Sequence, residues 1–282
     1  MDDTLRIQPA GVAALRDPCF MFDHSTETGG AVRTWLSPPN RITLRAEDVH
    51  VWRSSLDLSE STCKALRDVL TPDEAARADR FHFAADHRHY IAARGCLRWL
   101  LGRYLGMHPA EIRFSYNEFG KPSLAAPTKR ELNFSLAHSG GLALYALTLK
   151  RQIGVDLEFI RQDFTGDEIA ERFFSAGEVE GLDRIPAALR QQAFFNCWTR
   201  KEAFVKAIGA GLSAPLDQFE VSLAPNEPVA LLETNWDHQE AARWSLVAID
   251  PGPGYVAAVA VRGHDWVLRT WRLDEDTLDA SQ

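Results

Sequence analysis

One order of elements occurs twice in this chain at nearly constant spacing, and that repetition limits the possible folds more than any other feature. The segment "VHVW" (49–52) reads as a strand. It is followed by a helix start at "LTPDEAARADRF" (70–81), where Thr71 is placed to cap, Pro72 takes the first helical position and Glu74 stands three after the cap. A long apolar-periodic helix over 86–106, a strand "EIRFSY" (111–116), a turn "NEFGKP" (117–122) and a hairpin-like 132–149 complete the pattern. The order then restarts with the strand "IGVDLEFI" (153–160) and a helix start with Ser175 and Glu178 in the two cap roles. A long helix over 190–212, the strand 219–223 and a hairpin over 244–262 follow. Ser175 stands 104 positions after Thr71, and the helix-ending Ile208-Gly209 stands 103 after Leu105-Gly106. Such spacing predicts an α/β (α+β) chain built as a pseudo-dimer of two similar halves. The alternative is coincidence, since strand-helix-strand-strand is a common order. The expected division is an N-terminal extension (1–45), a first half (46–150), a second half (151–273) and an acidic tail (274–282).

A seam between similar halves is a natural ligand cleft, and the second half opens on an unusual strand. Ile153, Val155, Leu157 and Phe159 fall on one face of it, Gly154, Asp156, Glu158 and Ile160 on the other. Asp156 and Glu158 thus stand side by side, roughly 6.5–7 Å apart at the backbone, where like charges repel unless water or a cation screens them. Both readings, a solvated face and half of a metal site, stay open on the strand alone.

In the long helix of the second half, Phe194, Cys197, Trp198, Phe204, Val205 and Ile208 share one broad apolar arc. Glu202 lies at its edge with Lys206 one turn later, and Lys201 falls inside the arc, an odd place for an ammonium unless its tip reaches a cleft. As a surface pair, Glu202–Lys206 is worth about 0.3–0.5 kcal/mol; a half-desolvated Glu between cations equally suits a metal ligand or general base.

Composition narrows the class. The net charge of −8 provides no global field for nucleic acid, so an anionic ligand needs a local cluster such as Arg77, Arg80, Arg88 and Arg94. Four widely spaced cysteines form no zinc pattern, with Cys96 and Cys197 inside apolar helical patterns. With no leader-like N-terminus and no apolar run long enough to span a membrane, a reduced cytoplasmic protein is expected.

The segments "EIRFSYNEFGKPSL", "NFSLAHSGGLALYAL", "IGVDLEFI", "RFFSAGEVEGL" and "CWTRKEAFVKAIGAGLSAPLDQFEV" together resemble the Sfp-type 4′-phosphopantetheinyl transferases, over about residues 70–223. The resemblance implies a pseudo-dimeric α/β fold. The implied reaction is a Mg²⁺-dependent transfer of the phosphopantetheine arm of coenzyme A to a serine of an apo carrier protein, releasing 3′,5′-ADP. It further implies Asp156, Glu158 and Glu202 as metal ligands (Mn²⁺ as substitute), and Glu202, Lys206 and Asp156 as the catalytic set, with Glu202 or a water as base. Coenzyme A contacts carry over to Arg77, Arg88 or His89, Lys121-Pro122, His138-Ser139, Lys201 and Lys206. Taken singly, the Lys121-Pro122 segment is a plain turn, His138 a loop residue and each arginine a solvated helix charge.

The chain departs from that pattern in two places. Ser135 and Ala137 replace residues of an N-x-S-H-S motif, which alters or removes their hydrogen bonds, and Glu74 stands where some relatives carry a lysine for the 3′-phosphate. The expected partners are acyl or peptidyl carrier domains of fatty-acid, polyketide or nonribosomal-peptide synthases, met by a monomer without nucleic acid or membrane. Two rivals remain: a catalytically silent coenzyme A- or carrier-binding module, and a metal-dependent phosphohydrolase.

Overall fold

The computed structural model describes residues 31–32, 34–125, 131–161, 166–211 and 214–279. Cys19, the turn-rich stretch 23–30, the end of the expected 190–212 helix and the last three residues of the tail lie outside them.

The first half consists of β1 (Asp48–Ser55), α1 (Glu60–Asp68), α2 (Pro72–Ala78), α3 (Ala84–Leu105), β2 (Phe114–Tyr116), β3 (Pro122–Leu124), β4 (Leu132–Ser139) and β5 (Leu142–Leu149). The second consists of β6 (Ile153–Phe159), α4 (Asp167–Phe173), α5 (Ala176–Arg184), α6 (Ala187–Ile208), β7 (Phe219–Val221), β8 (Leu231–Thr234), β9 (Trp244–Ile249) and β10 (Tyr255–Arg262). In each half the first strand returns beside the last. β1 pairs antiparallel with β5, Trp52 opposite Tyr145, and β6 pairs antiparallel with β10, Asp156 opposite Ala258. The chain then adds β11 (Val267–Leu273), parallel to β1, and α7 (Glu275–Asp279). The sheets run β11-β1-β5-β4 and β6-β10-β9.

Duplication is confirmed in the buried chemistry. Glu74 accepts from the Thr71 amide (3.0 Å) and from Arg98 Nε (2.6 Å), while Arg98 donates to the carbonyls of Pro109 and Ile112 (both 3.0 Å). Glu178 likewise accepts from the Ser175 amide (2.8 Å) and meets Lys201 Nζ (2.7 Å), which donates to the carbonyls of Leu216 and Phe219 (both 2.6 Å). A capping glutamate, a helix-borne cation and a pair of carbonyls three residues apart recur as a unit. Coincidence of element order does not produce that.

The strands alternate between two cores. Val49 and Val51 of β1 and Ile153, Val155 and Leu157 of β6 meet in a layer between the sheets. Trp52 and Tyr145 face α3, and Ala258 and Ala260 face α6. The layers are helix, sheet, sheet, helix. At one side β4 meets β6 through side chains, because Ser135 and Ser139 hydroxyls accept the Val155 and Phe159 amides (both 3.1 Å). Ser135 therefore supplies a seam bond despite the motif departure, and Ala137 packs in the inter-sheet core.

Several elements differ from expectation. Residues 111–113 do not extend the strand, since Pro109–Glu111 forms a tight turn that presents the carbonyls taken by Arg98. α6 starts at Ala187 and stops at Gly209, whose φ of 76° is left-handed. Its apolar arc broadens to nearly full burial between Ala193 and Val205, because the β6-β10-β9 sheet covers one side while α5 and β7 cover another. Within the expected extension, Val32 pairs with β9 and Leu36 with β11, and the acidic tail forms α7, whose Glu275 accepts from Ser59 and Thr62 at the start of α1. Cys63, Cys96 and Cys197 are free and buried, and no helix among the described residues is long and apolar enough to cross a membrane.

Candidate active site

β6 and α6 touch at Gly154. A Cβ there would sit 1.9 Å from the Ala203 carbonyl oxygen and 2.5 Å from the Ala207 nitrogen, so only glycine allows this approach. Asp156 and Glu158 project from the same face as Gly154, toward the helix that carries Glu202 and Lys206. Asp156 is buried, with Oδ1 on Lys206 Nζ (2.5 Å) and Oδ2 without a hydrogen-bond partner. Lys206 thus bonds across to the strand rather than back to Glu202.

The three carboxylates feel one another. Burial, then the charge of Asp156, pushes the Glu158 carboxyl above its usual range, opposed by Ser139, Lys206 and the Trp198 indole. Burial, then Asp156, also raises Glu202, with Glu158 adding to the shift and Lys206 opposing it. Among the described residues no group of three or more His, Cys, Asp or Glu side chains is gathered closely enough to hold a metal ion by itself. The chemistry of Asp156, Glu158 and Glu202 nonetheless fits a hard divalent cation: carboxylates that raise one another, and a buried Asp156 oxygen with no hydrogen-bond partner. Mg²⁺ is typically held by one or two carboxylates plus substrate oxygens and water, so a closed cage is not required.

Beside the acids a cleft of about 370 Å³ opens between the halves. Its first-half wall includes Arg77, Tyr90, Arg94 and Tyr116, its floor Lys121, Pro122 and His138, and its second-half wall Glu202 and Lys206. Lys121 Nζ donates to the Ala207 carbonyl (3.0 Å), and burial lowers the ammonium to about 8. Burial, then the charges of Lys206 and His89, lowers His138. Ser139 Oγ donates to Glu158 (3.1 Å), joining this wall to the acids.

Of the two candidates on α3, His89 stands close enough to His138 to affect its charge and bonds Asp57 (2.9 Å). Arg88 is exposed and its charge acts on Cys63, away from the cleft. Lys201 is corrected outright. Its ammonium is completely buried on Glu178 and two carbonyls and over the Phe219 ring (4.2 Å), so it cannot reach a ligand. The helical wheel placed it inward, but the buried acid that receives it lies on another element. Glu74 is likewise consumed internally: burial alone would raise it, but bonds from Arg98, the Thr71 amide and Arg94 hold it below its ordinary range.

Sequence reasoning missed Tyr90 and Tyr116 as cleft residues and named Arg94 only within a basic cluster. Arg94 packs over Phe114 (4.1 Å to the ring centre) and donates to both Glu74 and Tyr116. A signal existed in the four-residue spacing of Tyr90, Arg94 and Arg98, which stacks them on one face of α3.

Comparison with known proteins places the chain in a family. The family model "4′-phosphopantetheinyl transferase superfamily" matches residues 152–260, and "4′-phosphopantetheinyl transferase, N-terminal" matches residues 54–149. The chain is 43% identical over 239 residues to 4′-phosphopantetheinyl transferase HetI of Nostoc sp., covering 84% of this chain and 98% of the relative. It is 29% identical over 209 residues to 4′-phosphopantetheinyl transferase Sfp of Bacillus subtilis, covering 74% and 89%. It is 29% identical over 212 residues to the human L-aminoadipate-semialdehyde dehydrogenase-phosphopantetheinyl transferase, covering 70% and 68%. The paired halves, the acids at their seam and these matches together establish that the chain belongs to the 4′-phosphopantetheinyl transferase superfamily.

Proposed function

We propose that this protein transfers the 4′-phosphopantetheine arm of coenzyme A to a serine of an apo carrier protein with the help of Mg²⁺. The observation that carries the reading is that Glu202, coupled by charge to Asp156 and Glu158, lines a cleft that also holds Arg77, Arg94, Lys121 and Lys206. A diphosphate ester bearing a further phosphate needs both: cations for the distal phosphate and a metal-binding acid set at the diphosphate.

Asp156, Glu158 and Glu202 would hold the ion, which when bound supplies positive charge to the diphosphate oxygens and renders the phosphorus electrophilic. The remaining work falls to the protein. Arg77, His138 and His89 hold the distal phosphate, and Lys121-Pro122 positions the nucleotide. Glu202, or a water it holds, takes the proton as the serine Oγ–P bond forms and the P–O bond to 3′,5′-ADP breaks. Lys206, one turn further on, neutralises charge on the departing phosphate. This is catalysis by positioning and electrostatics.

Incubation with coenzyme A, Mg²⁺ and apo acyl and peptidyl carrier domains, followed by intact-mass measurement, tests the reading. A carrier mass increased by one phosphopantetheine arm, abolished by EDTA, is the expected outcome. Binding without modification would identify a silent module, and phosphate release alone a hydrolase.

A further inference from the structure

The turn 117–122 does more than shape one wall of the cleft. The Asn117 side chain spends its oxygen on the amides of Phe119 (3.1 Å) and Lys121 (2.8 Å), fixing the turn. Its Nδ2 reaches across the seam to the Gly209 carbonyl (2.7 Å), beyond the last turn of α6. Lys121 caps the adjacent Ala207 carbonyl (3.0 Å). These are helix-end carbonyls that have no intrahelical partner. The second-half chain is cut to fit: a Cβ on Gly209 would lie 3.3 Å from Asn117 Nδ2, and one on Gly211 would lie 2.5 Å from Phe119 Cβ.

Symmetry separates this contact from what duplication alone provides. The glutamate–cation–carbonyl unit occurs in both halves. The clasp does not: a Cβ on Gly106, which ends α3 as Gly209 ends α6, would have nothing within 4 Å. Among the described residues, the end glycine of α6 is met by a turn of the opposite half and that of α3 is not. We propose that Asn117 is a positioning residue that ties the nucleotide-side turn to α6 and so sets Glu202 and Lys206 against a bound substrate. The proposal rests on the transferase reading for its kinetic consequence, although not for the clasp itself.

Two variants separate the clasp from a purely local role. Asn117→Asp keeps an acceptor for the Phe119 and Lys121 amides but opposes an oxygen, and a negative charge, to the Gly209 carbonyl at a helix C-terminus. Asn117→Ala loses both functions. If the side chain couples the halves, N117D lowers kcat by about 10- to 100-fold, at least as much as N117A. It also speeds amide exchange across residues 203–211, with coenzyme A affinity changed far less than kcat. If the side chain only shapes its own turn, N117D matches the wild type while N117A loses coenzyme A affinity; either that ranking or an affinity-only defect overturns the proposal. Should the wild type fail to modify any carrier, the transferase reading fails, and the exchange measurement still decides the clasp. Should N117D fail to fold, Asn117→Ser, too short to reach Gly209, carries the same kcat and exchange criteria.

Discussion

Asp156 bears the sharpest conflict in the molecule. It is buried beside two other carboxylates, with one oxygen on Lys206 and the other on nothing. Asp156→Asn keeps the shape and removes the charge. It is expected to reduce transfer by about 10²–10³-fold and to raise the Mg²⁺ concentration needed for half-maximal rate. Metal-free thermal stability should move little, because relief of repulsion offsets the loss of the Lys206 partner. Normal Mg²⁺ dependence in this variant would refute the ligand assignment. Lys121 makes a prediction about pH. With its ammonium lowered to about 8 by burial, it offers charge only in the protonated form, so on the proposed function coenzyme A affinity is expected to fall as pH rises past 8. Lys121→Arg, which remains charged, should flatten that dependence in calorimetric titrations. In the free protein the linkage has the opposite sign. The folded state releases the proton before the unfolded one, so stability rises with pH between about 8 and the ordinary 10.5.

At the scale of elements, α6 is fixed by a glycine on one face and an ion pair on another. Gly154 lets it touch β6, and Lys201 anchors it to the start of α5 through Glu178. Lys201→Met strands a buried carboxylate and is expected to cost about 3–5 kcal/mol in urea unfolding. Adding Glu178→Gln, which removes the charge but leaves a single oxygen for the Ser175 and Val221 amides, should restore part of the loss. If the double variant is as unstable as the single one, the cost is packing, not charge. The capping boxes and α3 were legible because their determinants lie within a few residues of one another. The partner of Lys201 was not, since 23 positions separate it from Glu178 and no periodicity connects them.

Across the whole molecule, the N-terminal segment joins the two sheets. Val32 exchanges backbone bonds with β9 and Leu36 with β11. Between them Trp35 donates to the Asp250 carbonyl (2.8 Å) and carries the Arg53 guanidinium over its ring (5.3 Å). With β4 meeting β6 on the other side, the strap covers strand edges that would otherwise be open. Trp35→Ala is expected to cost roughly 2–3 kcal/mol, below the value for a fully buried tryptophan because Trp35 is only partly buried. The measurement is a shift in thermal midpoint accompanied by faster exchange in β9 and β11; a change confined to residues near Trp35 would exclude the strap role. Composition gave no hint of this strap, because its pairing with β9 and β11 is made by backbone.

The sequence by itself determined the alternating face of β6 and the capping chemistry, which depend on neighbours two to four residues away, and the two-fold order of elements, which shows as a repeat at constant spacing. It also placed Asp156, Glu158, Glu202 and Lys206 on the elements where they are found. Tertiary structure alone decided which charges meet. Asp156 and Glu202 occupy positions whose first-half counterparts are Trp52 and Trp99, both buried in a core, so the same scaffold position is apolar in one half and acidic in the other. Of the two acids Glu202 lines the cleft, facing Tyr90, Arg94 and Tyr116 of the first half. Contact across such a seam depends on chain packing over long sequence separations, which local patterns do not encode.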